Sequence, residues 1–174
     1  VSQIGFAKEE TSIISYAQAG KAVVVKAAGN DSVAMGSVTS SGTQDYLGDA
    51  LIGAQSVIFA GALDGNGTPD NQVGLSYYSD SAGSDPLVQS HFLSVGVPYT
   101  ITGLAGTSFA APTISGYAAI LGSKFTKATS NEIVNQLLLT ARTDTLKDYD
   151  TLGAATYGMG EASLSRALAP STIF

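Results

Sequence analysis

Between Ser108 and Leu121 the chain reads SFAAPTISGYAAIL, an uncharged stretch with small or apolar side chains at nearly every position. A helix of that composition has no polar face to turn to water, so it predicts a helix enclosed on all sides and running through a core. A core of that kind needs apolar material. With 44% hydrophobic and only 13% charged residues, 174 residues supply it for one domain of ordinary size.

The remaining pattern says what surrounds such a helix. KAVVVKAAGN (Lys21 to Asn30), SVIFAGAL (Ser56 to Leu63) and HFLSVGV (His91 to Val97) are short, continuous apolar runs, rich in β-branched residues. They read as strands covered on both faces. From Lys8 to Ala19, Ile13, Ile14, Tyr16 and Ala17 recur at helical spacing, and Gly20 is a natural left-handed stop. Thr129 and Glu132 form a capping box ahead of an outer helix whose apolar face is Ile133, Val134, Leu137, Leu138 and Ala141. Tyr157 to Leu168 reads as a glycine turn leading into a last short helix. Strand and helix in alternation predict an α/β fold of three layers, a mostly parallel sheet flanked by helices. Ser37 to Asp49 and Asp64 to Asn71, rich in Gly, Ser, Asp and Asn, are expected to be surface loops. No repeat or linker divides residues 1–174, so a single domain is expected.

Charge and composition exclude several functions. Eight Lys+Arg against 14 Asp+Glu, a net charge of −6, leave no basic stripe to displace counterions from phosphates, which sets nucleic acid aside. Without cysteine there is no disulfide, thiolate metal site or cysteine nucleophile. The chain opens on Val1, with no charged-then-apolar leader, and never reaches the eighteen apolar residues of a membrane span. A trimmed, soluble piece is expected.

Gly106, Thr107, Ser108, Ala110 and Pro112 make G-T-S-x-A-x-P, flanked by Gly103 and Gly116. That segment resembles the nucleophile segment of the subtilisin-like serine proteases, the subtilases. By residue frequencies, five fixed positions recur by accident in roughly one chain in several thousand of this length. Upstream, VVVKAAGND resembles the family's strand ending in an oxyanion-hole asparagine, here Asn30. SVIFAGALD resembles the strand that follows, LSYYSDSAG the loop after it, and YGMGEASLSRAL the closing glycine turn and helix. The likeness covers nearly the whole chain and implies a serine endopeptidase acting on a polypeptide substrate, secreted or at the cell surface, with no cofactor or metal in the reaction.

A serine hydroxyl is a weak nucleophile until a base takes its proton, and its attack puts negative charge on the substrate oxygen. At a helix start Ser108 faces free N–H groups and the positive end of the dipole, and Gly106 admits substrate backbone. Pro112 lacks the N–H that would bond the Ser108 carbonyl. The resemblance assigns the nucleophile to Ser108 and the second oxyanion donor to Asn30. It also implies that Ala27, Ala28 and Gly29, with Gly106 and Thr107, line the substrate site. Asn30 ends a strand, where open parallel sheets bind ligands.

The family's triad also needs an aspartate in D-[ST]-G and a histidine in H-G-T-H, both well over 29 residues before the asparagine. The chain is therefore expected to be the C-terminal half of a catalytic domain, partnered by an N-terminal segment of the same precursor. VSQIG, weakly like the family's substrate-lining strand, fits that reading. The exposed sheet edge of such a half predicts self-association.

Weaker signals remain. His91, the sole histidine, reads as an ordinary strand-end residue rather than a general base. LSVGV stands where subtilases commonly carry an A-P-G turn, and Thr113 where they usually carry a histidine outside the triad. DGNGTPDN reads as a turn in preference to a calcium loop. Asp144, Lys147, Asp148 and Asp150 read as a solvated loop. Asp31 either shapes the pocket wall, favouring a basic or polar substrate side chain, or is a surface carboxylate with no role.

Overall fold

The computed structural model describes residues 5–173. The likeness seen in VSQIG rests mostly on Ser2 and Gly5, of which Ser2 lies outside them. The three apolar runs form β1 (Val24–Ala27), β2 (Val57–Leu63) and β3 (Phe92–Gly96). They pair in the order β1-β2-β3, all parallel, with Ala27 opposite Ala60 and Phe59 opposite Phe92. Every residue of β2 is buried, as its unbroken apolar run requires.

Side chains alternate across a strand, so β2 serves two cores. Ile58, Ala60 and Ala62 face one side, where they pack with Leu93, Val95, Ala110, Ile114, Leu121, Val134 and Leu137. Val57 and Phe59 face the other, against Ala17, Leu51, Val88 and Phe92. Each wholly buried Leu or Ile contributes roughly 2–3 kcal/mol through removal from water. The helices that supply these residues are, in chain order, α1 (Lys8–Gln18), α2 (Tyr46–Leu51), α3 (Pro86–Gln89), α4 (Tyr99–Thr102), α5 (Thr107–Lys124), α6 (Ser130–Leu139), α7 (Tyr149–Tyr157) and α8 (Leu164–Leu168). α5 and α6 cover one face and α1 and α2 the other, which gives the three layers.

Four local expectations need correction. α2 begins inside the stretch expected to be loop: Asp45 caps it by accepting the Gly48 N–H at 3.0 Å, and its Gly and Asp content had hidden it. α7 forms in the segment expected to be a charged loop, anchored by Tyr157, whose hydroxyl donates to the Lys147 carbonyl at 2.8 Å. On α1 the buried residues are Ala17 and, in part, Ile14, while Ile13 and Tyr16 point to solvent.

The fourth concerns α5. It buries Thr107, Ala110, Ile114, Ala118 and Leu121, a stripe of one helical period. Phe109, Pro112, Ser115, Gly116, Ala119 and Ile120 are exposed on the far side. Its composition allows cover all round, but among the described residues only one face is covered.

The two sheet edges also differ. On β3 the outer edge is closed by residues 159–162: the Ser94 N–H donates to the Gly160 carbonyl at 2.9 Å and the Ala162 N–H to the Ser94 carbonyl at 2.8 Å. On β1 the outer edge pairs with no strand among the described residues, and all four of its residues are half-buried.

Candidate active site

The chain leaves β1 at Ala27 and passes through Ala28 and Gly29 to Asn30, beyond the carboxyl end of the strand. It meets there the start of α5, 77 residues on. The Thr107 N–H donates to Asn30 Oδ1 at 2.8 Å. Thr107 Oγ1 accepts the Gly29 N–H at 3.2 Å and lies 3.1 Å from Asn30 Oδ1 and 3.2 Å from the Gly29 carbonyl, one of which takes its proton. Thr107 is wholly buried, turned toward these partners and away from solvent.

That contact orients the amide. A backbone N–H only donates, so the oxygen of Asn30 must face Thr107 and the Nδ2 group points elsewhere. Around the position a Cβ of Gly106 would take lie Asn30 Nδ2 at 3.6 Å, Asn30 Oδ1 at 3.7 Å and the Ser108 nitrogen at 3.9 Å. Gly106 has φ +125°, a conformation L side chains rarely adopt, and its bare α-carbon leaves that space open. The Asn30 amide and the Ser108 nitrogen thus both border Gly106. The Ser108 N–H, in the first turn of α5, has no acceptor within the helix. Pro112 removes the donor that would otherwise bond the Ser108 carbonyl. Ser108 and Asn30 are both exposed.

Asp80 holds the loop that carries Asn30. Its Oδ1 accepts the Asp31 N–H at 2.9 Å and the Val33 N–H at 3.1 Å, and its own N–H donates to the Gly29 carbonyl at 3.0 Å. Only 6% of Asp80 is exposed, and burial pushes its carboxyl above the ordinary value of 3.8, against the pull of the backbone donors. Gly29, at φ +128°, lies so close beneath that a Cβ would overlap the carboxylate. Sequence reasoning missed this residue, since one acid in a serine-rich loop carries no signal until the fold brings it to residues 49 positions away.

Next to Asn30 opens a cleft of about 410 Å³ lined by Ala28, Gly29, Asn30, Asp31, Asp45 and Asp80 with several hydroxyl and amide side chains. Ala27 stays in the strand, opposite Ala60. His91 stands elsewhere: it precedes β3 at the amino end of the sheet and approaches the Ser90 hydroxyl at 3.1 Å. Burial lowers its pKa below 6.5. Among the described residues no side chain hydrogen-bonds Ser108 Oγ, and no group of three or more His, Cys, Asp or Glu converges as a metal site. In the stretch weighed as a calcium loop, Thr68 and Asn71 exchange backbone bonds of 3.1 Å around Pro69 and Asp70, a tight turn.

Comparison with known proteins gives the family and the fold. The subtilase family pattern matches residues 2–160. Subtilisin DY of Bacillus licheniformis is 35% identical over 131 residues, covering 74% of this chain and 42% of that protein. Among solved structures, the prenylagaramide maturation protease PagA superposes with a TM-score of 0.58 at 21% identity, over 96% of this chain and 57% of its own. A chain of the periplasmic assembly of the ESX-5 inner membrane complex gives 0.61 at 20% identity, over 98% and 45%. The chain thus spans less than half the length of the curated relative it matches.

Proposed function

Because this chain belongs to the subtilase family of serine peptidases, we propose that it carries the nucleophile and the oxyanion donors of a subtilisin-like endopeptidase. The observation that carries the reading is the Asn30 amide, held by Thr107 beside Gly106 and the Ser108 nitrogen. A peptide carbonyl seated there presents its carbon to Ser108 Oγ. Attack forms the Oγ–C bond as a base takes the hydroxyl proton. Negative charge then moves onto the carbonyl oxygen, between two donors already in place. Collapse breaks the C–N bond, the amine leaves with the proton, and water later hydrolyses the acyl-enzyme.

The base and its orienting aspartate come, in this reading, from a segment preceding residue 1 in the same precursor. Two observations support such a partner: the outer edge of β1, unpaired among the described residues, and the exposed apolar face of α5. A groove between them is lined by Val23, Val25, Ala118, Ala119, Gly122 and Ile133. Together the pieces make one catalytic domain, of which this chain is the C-terminal portion. No helix among the described residues is long and apolar enough to cross a membrane. A location outside the cytoplasm accords with the periplasmic assembly that contains one structural relative.

Fluorophosphonate labelling tests the assignment. The chain alone labels slowly, addition of the upstream segment makes labelling prompt, and Ser108→Ala abolishes it. Prompt stoichiometric labelling of the chain alone would mean that a base lies within it. No labelling with the segment bound would favour instead a non-catalytic binding domain of the same fold.

A further inference from the structure

The loop DGNGTPDN, which takes no part in the peptide chemistry above, holds the only asparagine of the chain that a glycine follows, Asn66 before Gly67. We propose that this pair is a site of intramolecular deamidation, at which the Gly67 nitrogen closes on the Asn66 side chain with Glu161 as the base. The nitrogen that follows an asparagine is held close to the side-chain amide carbon by the covalent chain itself, and glycine adds no side chain to hinder the approach. Packing keeps glycine in that place, because a Cβ on Gly67 would overlap the Thr145 carbonyl. Asn66 is exposed, and its amide makes no hydrogen bond among the described residues, so neither the carbon under attack nor the leaving nitrogen is tied down.

The fold adds the base. Glu161 stands 94 residues on, yet its Oε1 accepts the Gly67 N–H at 3.1 Å. Only 6% of Glu161 is exposed, and Oε2 is buried without a hydrogen-bond partner. Such an oxygen is costly to bury, and the one hydrogen bond its side chain makes among the described residues goes to the nitrogen that must lose a proton. A neutral acceptor would only restrain that nitrogen, whereas a carboxylate takes the proton from it. Oε1 accepts the proton as the N–Cγ bond forms; the Cγ–Nδ2 bond then breaks and Nδ2 leaves as ammonia with that proton. Water opens the resulting succinimide at either carbonyl, to aspartate or to isoaspartate. In isoaspartate the main chain runs through the former side chain, which moves Gly67 out of register with Glu161. Glu161 belongs to the segment that closes β3 and exchanges backbone bonds of 2.8 Å with Arg142, so conversion loosens that closure.

The test is peptide mapping by mass spectrometry of the chain aged at neutral pH, folded in buffer and unfolded in urea. The folded chain exchanges amide for acid at Asn66 faster than the unfolded one, while Asn71, also exposed but followed by Gln72, stays intact. Glu161→Gln keeps an oxygen for the Gly67 N–H and slows the conversion about 10²-fold, the lower end of what a positioned base contributes. Should that variant fail to fold, the parent decides alone, since only folding brings Glu161 to Gly67. A folded chain that converts no faster than the unfolded one, or a folded Glu161→Gln variant that converts as fast as the parent, overturns the proposal. The isolated isoaspartate form exchanges the Arg142 and Glu161 amide hydrogens faster than the parent; unchanged exchange overturns the loosening of β3.

Discussion

Asn30 shows how one side chain can be committed at one end and free at the other. Its oxygen is taken by Thr107, which leaves the amino group without a partner among the described residues. Preorganisation of that kind matters because the donor need not reorient as charge develops on the substrate. In the reconstituted enzyme, Asn30→Ala should lower turnover about 10²–10³-fold with little change in KM, the loss known for subtilisin's own oxyanion asparagine. Steady-state kinetics on a peptide amide would read it, and a loss confined to KM would place Asn30 in ground-state binding. Neither the direction of the amide nor Asp80's grip on the loop is visible in the residue order. Both depend on contacts between residues 49 to 77 positions apart.

At the scale of the element, local chemistry wins wherever partners lie within a few residues. The capping box of α6 forms as its spacing predicts: the Thr129 N–H and hydroxyl donate to Glu132 Oε2 at 2.6 and 2.8 Å, and the Glu132 N–H returns to Thr129 Oγ1 at 3.3 Å. The two Thr129 donors, the backbone one first, hold the Glu132 carboxyl below its ordinary 4.5. A carboxyl depressed in the folded state lends stability above the unfolded value and loses it as pH falls through the folded one. Thr129→Ala should therefore cost about 1 kcal/mol at pH 7, with the gap to the parent narrowing below pH 4.5 in urea titrations. A gap independent of pH would mean that the carboxylate takes no part. α2 and α7 were obscured for the converse reason, since short helices rich in Gly and Asp owe their existence to docking more than to propensity.

Across the whole molecule the telling feature is asymmetry of cover. β3 has its outer edge closed, β1 has its edge bare among the described residues, and α5 has one apolar side in solvent. An open edge beside an apolar face invites pairing. In light scattering the chain alone should form concentration-dependent assemblies that give way to a single complex when the upstream segment is added. Ile120→Lys, at a position 46% exposed, should change the chain's own stability by less than about 0.5 kcal/mol yet weaken both associations. A monodisperse monomer that ignores the segment would count against that use of the surface.

The three strands, their parallel pairing and the α5 start were legible in the residue order, because apolar runs, caps and glycine stops act over one or two turns of chain. The pairing of Ser108 with Asn30 came from family likeness and is what the labelling experiment tests. The coverage of α5 was misjudged for a definite reason: composition states what a helix tolerates around it, and only packing states what is there. Asp80, the acidic lining of the cleft and the bare edge of β1 emerge from long-range contacts alone, since burial and charge balance are properties of a neighbourhood and no single stretch of chain contains one.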